Sequence, residues 1–332
     1  MAKNSIYKFI CCLILIIIYN NNNFKQEFME FPKIEFNVNI FENNNYNNKI
    51  IKKKKICICT FGKEENKYIR EFIQHYEKYG VDKIFLYDNN DVIGERFESV
   101  IEDYIKNGLV EIINWRGKKK VVYRIMNDCY KKNFDKFDWL IFYELDEFIH
   151  LSNYSNLKVF LNEEKFNKCN LICLNLLCHT DNNLLFYQNK SLAERFTEIT
   201  PITKKGGILL EIKCIMRGHI PGLHINNAHL CNTKYDNCNG FGHLNKHKGR
   251  YSIKNDYKYY YIDHYYSKST EEFINKINKG DAQLRSVRYA LHRIDKYFSQ
   301  SKFTEEKRLM IQNRTGLNLT KFKNYLSNKI LI

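Results

Sequence analysis

From residue 56 to residue 143 the chain alternates short, β-rich apolar runs with amphipathic helical stretches, and this rhythm restricts the fold more than any other feature. Ile56 to Thr60 reads as a strand. Glu65 to Tyr79 reads as a helix, because Tyr68, Ile69, Phe72, Ile73 and Tyr76 share one face and Gly80 follows as a stop. Val81 to Tyr87 is a second strand, closed by the turn signal Asp88-Asn89-Asn90. Phe97 to Asn107 is a second helix, Val110 to Trp115 a third strand, Val122 to Asn133 a third helix and Trp139 to Tyr143 a fourth strand. Strands joined through helices pair in parallel, so an α/β fold with a mostly parallel central sheet flanked by helices is expected.

The fourth strand carries the chemistry. Trp139 to Ile149 is an apolar run that gathers three carboxylates, Glu144, Asp146 and Glu147, where the strand gives way to a turn. In such sheets ligands collect at the carboxyl ends of the strands. Glu144 and Asp146 flank a single residue and can turn toward one point; two hard oxygen donors suit Mn2+ or Mg2+, which keep positions open for water and substrate phosphates. A diphosphate is then the natural partner. An acidic strand end followed by a solvated loop has the same local sequence, so context has to decide.

With 332 residues, 44% of them hydrophobic, the chain can bury a large core. Its net charge of +16 attracts polyanions without specifying a fold. The basic runs Lys52 to Lys55 and Arg116 to Lys120 lack aromatic interleaving, so they read mainly as solvated loops, with contact to a phosphate as the rival. No nucleic-acid partner is expected.

At the amino terminus Lys3 and Lys8 precede an apolar run from Phe9 to Tyr19, followed by an asparagine-rich stretch to about Asn48. The run is shorter than the roughly 20 residues of an ordinary membrane span, and no small-residue cleavage site follows it. It reads as a signal anchor with its stem (residues 1–49), holding the chain to a secretory membrane; a cytoplasmic chain is the alternative if it does not anchor. Sequons beginning at Asn153, Asn189, Asn313 and Asn318 fit a lumen, although such triplets arise easily in an asparagine-rich chain. Of the eleven cysteines, Cys231 and Cys238 precede His243 and His247 in a loose zinc-like order without the paired spacing of a strong zinc signal. In a lumen some cysteines would form disulfides.

The second half is less regular, with apolar runs at Leu171 to Leu177 and Ile208 to Ile215. In its clearest segment Ser269 or Thr270 can cap a helix with a buried face of Phe273, Ile274 and Ile277, ended by Gly280. His264 stands just ahead of that helix.

Several ordered segments between about 55 and 285 resemble a known family. Lys63-Glu64-Glu65 with Tyr68-Ile69-Arg70-Glu71-Phe72 looks like its opening motif, and Ile84 to Asn90 like its strand ending in Y-D-N. Trp139 to Ile149 resembles its W-[IL]-x-F-x-D-x-D-E-F signature, Glu194-Arg195-Phe196 its E-R-F, and His264 to Phe273 its H-Y-x-x-K-S-x-E-E-F. The family is the family 2-like and family 92-like glycosyltransferases of the GT-A fold. The resemblance implies a transferase domain over 50–290 with a C-terminal helical extension over 291–332, lumenal and in the Golgi. It implies a nucleotide-sugar donor, a UDP-sugar by preference, a glycan or glycoconjugate acceptor, and inversion. By it, Thr60, Glu65, Asp88 and Asn89 would contact the nucleotide. Asp146 would carry the metal, with Glu144 standing where the family has its first Asp and His264 as a late third ligand, His224 being its rival. Glu194 and Asp181 are the candidate bases, each with a structural alternative. Two other readings stay open: a non-catalytic glycan-binding relative, motivated by Glu144, and a metal-dependent nucleotidyltransferase.

Overall fold

In the computed structural model the alternation becomes one nine-stranded sheet. The structure describes residues 54–119, 121–200, 211–226, 228–229, 235–244, 257–280 and 287–320; the anchor-like segment 1–49, Cys231 and His247 lie outside them. In chain order the elements are β1 (Ile56–Gly62), α1 (Asn66–Lys78), β2 (Lys83–Asp88), α2 (Glu98–Lys106), β3 (Val110–Asn114), α3 (Val122–Asn133), β4 (Trp139–Ile141) and β5 (Glu147–Leu151). There follow α4 (Leu157–Leu161), β6 (Leu171–Cys178), α5 (Leu192–Arg195), β7 (Ile212–Arg217), β8 (Asn237–Cys238), β9 (Tyr260–His264), α6 (Thr270–Asn278), α7 (Val287–Gln300) and α8 (Glu305–Thr315). The sheet order is β3-β2-β1-β4-β7-β6-β9-β5, with β8 beside β6. Strands β1 to β4 pair in parallel, as the α/β expectation requires, whereas β7 runs antiparallel to β4 and β6, and β5 antiparallel to β9.

Side chains of β1 alternate between two cores. Ile56 and Ile58 pack with α1 and α2, through Ile69, Phe72, Phe97 and Ile101, while Cys57 and Cys59 pack with α3, through Ile125 and Met126. Both faces are dry, which is why the strand reads as a continuous apolar run. The predicted stripe of α1 is buried, and Gly80 ends the helix at a φ of +77°, where a Cβ would run into the Asn156 side chain. Among the described residues three disulfides cross the core, Cys59–Cys129, Cys169–Cys238 and Cys173–Cys214, so Cys238 is committed to a disulfide and not to a zinc-like cluster. Among the described residues no helix is long and apolar enough to cross a membrane.

The C-terminal helices share a third core with α6, built on Phe273, Ile274, Ile294, Tyr297 and Phe298. Buried Asp181 fixes them to the sheet, since its carboxylate pairs with Lys307 at 2.6 Å and accepts a hydrogen bond from the Tyr297 hydroxyl.

His75, on α1, makes a testable contribution to stability. Its Nε2 lies 3.0 Å from the Ile149 carbonyl, and burial pushes its pKa from 6.5 down to about 4. Between those values the unfolded chain binds a proton that the folded protein refuses. Stability is therefore expected to fall as pH drops through that window, by up to about 3 kcal/mol. Urea midpoints at about pH 7.5 and 4.5 check this, and His75→Gln should reduce the difference.

Candidate active site

Because β1, β2 and β4 run in parallel, Gly62, Asp88 and Ile141 end at one edge of the sheet. A cavity of about 580 Å³ opens there, walled by Glu144 and Asp146, by Glu65, Asn89 and Asp91, and by a set of cations: Lys63, Lys118, Lys119, Lys276, Lys279 and Arg293. A second cavity of about 480 Å³ shares Glu65, Lys276 and Lys279 with the first.

Strand register brings the late histidine to the acidic turn. Glu147 opens β5 and pairs with His264, the last residue of β9, while Tyr265 N–H donates to the Asp146 carbonyl at 3.0 Å. His264 Nε2 consequently lies 3.7 Å from Asp146 Oδ1. Burial drives the His264 pKa down to about 3, so the ring is neutral at physiological pH and Nε2 can offer a lone pair; its Nδ1 is buried without a hydrogen-bond partner among the described residues. The other Asp146 oxygen, Oδ2, is 3.1 Å from Lys276 Nζ. Burial would raise the Asp146 carboxyl, but the ammoniums of Lys276 and Lys268 hold it well below the usual carboxylate range.

Lys213, pointing inward from β7, lies 3.0 Å from both Glu144 and Glu147. It holds the Glu144 carboxyl down to about 2. Glu144 thus faces the cavity with one oxygen engaged by an ammonium. Among the described residues no group of three or more His, Cys, Asp or Glu side chains is arranged to hold a metal. An anionic oxygen and a neutral imidazole nitrogen in the Asp146–His264 pair nonetheless suit a Mn2+ or Mg2+ ion whose remaining positions belong to water and phosphate oxygens.

The residues expected at the nucleotide divide. Glu65 lies in the wall of both cavities, paired with Lys279 and, at 3.5 Å, with Lys268; burial raises its carboxyl, but the two lysines bring it below its ordinary value. Asn89 lines the cavity and donates to the carbonyls of Trp115 and Lys118. Asp88 does not reach the wall, because it is consumed in organising the loop after β2: one oxygen accepts from Asn90 and the other is 2.5 Å from Arg116 Nη1. Arg116 in turn donates to the carbonyls of Asp91, Gly94 and Glu95. Thr60 is fully buried within β1 and does not line the cavity.

Neither candidate base is brought to the cavity. Glu194 closes a capping box with Ser191 at the start of α5, a local use of the carboxylate, and Asp181 is neutralised by Lys307 at the docking of the C-terminal helices. Arg195 explains its own motif: it forms a buried ion pair with Glu272 at 2.7 Å, and Glu272 also accepts from Tyr68 and from Ser269, whose side chain caps α6. The segments singled out in sequence thus meet in one buried network joining α1, α5 and α6.

Sequence reasoning missed Lys213, Lys276, Lys279 and Arg293. The spacing of Lys276 and Lys279 on one helical turn was visible, but basic residues near a helix C-terminus are adequately explained by the macrodipole.

Residues 52–301 match the family model described as Glycosyltransferase family 92. A glycosyltransferase family 92 protein of Ricinus communis is 26% identical over 132 residues, covering 39% of this chain and 23% of that protein. One of Oryza sativa subsp. japonica is 25% identical over 96 residues, covering 29% and 16%. The chain thus matches under a quarter of the length of these relatives. Among solved structures, Staphylococcus aureus TarS 1–349 superimposes with a TM-score of 0.34 at 14% identity, covering 82% of this chain and 73% of that one. The mannosyltransferase PcManGT of Pyrobaculum calidifontis, in complex with GDP-Man and Mn2+, gives 0.29 at 7%, covering 45% and 48%. Superpositions this loose carry no argument.

Proposed function

Because this chain belongs to glycosyltransferase family 92, we propose that it moves a sugar from a nucleotide-diphospho-sugar, a UDP-sugar by preference, to a hydroxyl of a glycan or glycoconjugate, with help from a divalent cation and with inversion. Sugar transfer follows from the family; donor, cation and stereochemistry are our reading. The observation that carries it is the pairing of His264 with Asp146, a residue that lines the cavity together with several lysines and an arginine.

In this reading Asp146 and His264 would hold Mn2+ or Mg2+, which would offset charge developing on the departing diphosphate. Lys276, Lys279 and Arg293 offer further positive charge to the same oxygens. Asn89 and Asp91 meet the nucleoside on the loop that Arg116 clamps. Attack of the acceptor hydroxyl on the anomeric carbon forms one C–O bond as the C–O bond to phosphate breaks on the opposite face. The hydroxyl proton passes to a base.

The same reading puts a catalytic unit over 50–290 in a secretory lumen of the Golgi, tethered by residues 1–49. Three disulfides support that compartment. The extension over 291–332 belongs to the working enzyme in this reading, since it supplies Arg293.

Nucleotide release from a panel of nucleotide-sugars by the purified full chain, with Mn2+ and with chelator, tests the proposal. One donor is expected to be turned over in a metal-dependent way. Release that is indifferent to chelator would sink the metal part of the reading, and turnover of a nucleoside triphosphate in place of any nucleotide-sugar would sink the donor part.

A further inference from the structure

Resting on the metal-assisted reading above, we infer that Lys276 is a resident counter-ion of Asp146 that yields the carboxylate to the divalent cation and then holds the donor's diphosphate, so that cation and donor bind cooperatively. The two oxygens of Asp146 face different chemistry. Oδ1 looks toward Nε2 of His264 at 3.7 Å, while Oδ2 carries the Lys276 ammonium at 3.1 Å. A divalent ion seated at Asp146 and His264 would lie within a few ångströms of that ammonium. In a site of low effective dielectric, like charges so close repel by several times thermal energy. Without a donor, the site therefore resists the cation.

Lys276 has somewhere to go. Its remaining contacts are weak, the Tyr266 carbonyl at 3.3 Å and the Tyr266 ring face at 4.2 Å, and it lies in the walls of both cavities. The neighbouring cations are held differently. Lys213 is buried between Glu144 and Glu147, and Lys279 is bound to Glu65 and the Lys63 carbonyl. A diphosphate brings the negative charge that lets Lys276 and the cation occupy the same site. Each ligand then strengthens the other by an equal factor, as linkage requires.

The test measures Mn2+ binding to the purified full chain by electron paramagnetic resonance, with and without UDP, corrected for Mn2+ held by UDP alone. Wild type is compared with Lys276→Gln, Lys276→Met and the charge-matched control Lys106→Gln, an exposed lysine of α2 that lines neither cavity. Circular dichroism verifies folding, and the two neutral variants at 276 guard against one of them failing to fold. Wild type is expected to bind Mn2+ weakly alone and at least about tenfold more tightly with UDP. The neutral 276 variants should bind Mn2+ alone at least about tenfold more tightly than wild type, with the UDP effect reduced, while Lys106→Gln stays within about threefold. Equal Mn2+ affinity in wild type and the 276 variants, with UDP-dependent binding intact, would overturn the role of Lys276 and leave the metal reading standing. No Mn2+ binding by wild type even with UDP would overturn both.

Discussion

Asp146→Asn is expected to lower sugar transfer by at least about three orders of magnitude while leaving the fold intact. Asparagine keeps the size and one carbonyl oxygen, so the packing around Tyr265 and His264 survives. What goes is the charge. The cation loses its anionic ligand and Lys276, which is partly open to solvent, loses its partner. Nucleotide release by wild type and variant at saturating donor and Mn2+, with circular dichroism on both, checks the expectation; a variant within tenfold of wild type would remove Asp146 from the chemistry. Glu144→Gln should be milder, because Lys213 already engages that carboxylate.

The second large effect concerns stability. Arg195 and Glu272 have side chains almost wholly shielded from water. Removing one partner of a buried ion pair strands the other charge, at a cost of about 3–5 kcal/mol. Arg195→Met is expected to lower the melting temperature by roughly 6–12 °C or more. Adding Glu272→Leu should restore part of the loss and not all of it, since Glu272 also accepts hydrogen bonds from Tyr68 and Ser269. A thermal melt of the single and double variants decides; a double variant less stable than Arg195→Met would show that the carboxylate's hydrogen bonds matter more than its unpaired charge.

The first half of the sheet was legible because its signals are local. A stripe such as Tyr68, Ile69, Phe72, Ile73 and Tyr76, or a dry strand such as Trp139 to Ile141, declares itself within a dozen residues. The second half was not, because β7 and β9 carry inward-facing polar residues whose purpose lies on other strands. Lys213 reads as a solvated cation until Glu144 and Glu147 are placed against it. Asp181 reads as a free acid until Lys307 and Tyr297 arrive from the far end of the chain. Glu194 was decidable in sequence, since Ser191 followed three residues later by Glu is a capping-box pattern. The basic run at Arg116 shows the opposite failure. It reads as a solvated loop, yet Arg116 is a scaffold for the loop after β2, and Lys118 and Lys119 face the cavity.

The distance in sequence between Asp146 and Lys276, 130 residues, has a consequence for biogenesis. The parallel pairing of β1 to β4 can be made by residues Ile56 to Ile141 alone. The cation site cannot, because β9 must zip onto β5 in the correct register before His264 stands beside the acidic turn. A chain stalled or cleaved ahead of β9 would lack the Asp146–His264 pair. Activity therefore reports that β9 and the two helices behind it, which bring Lys276 and Arg293, have been laid down as well.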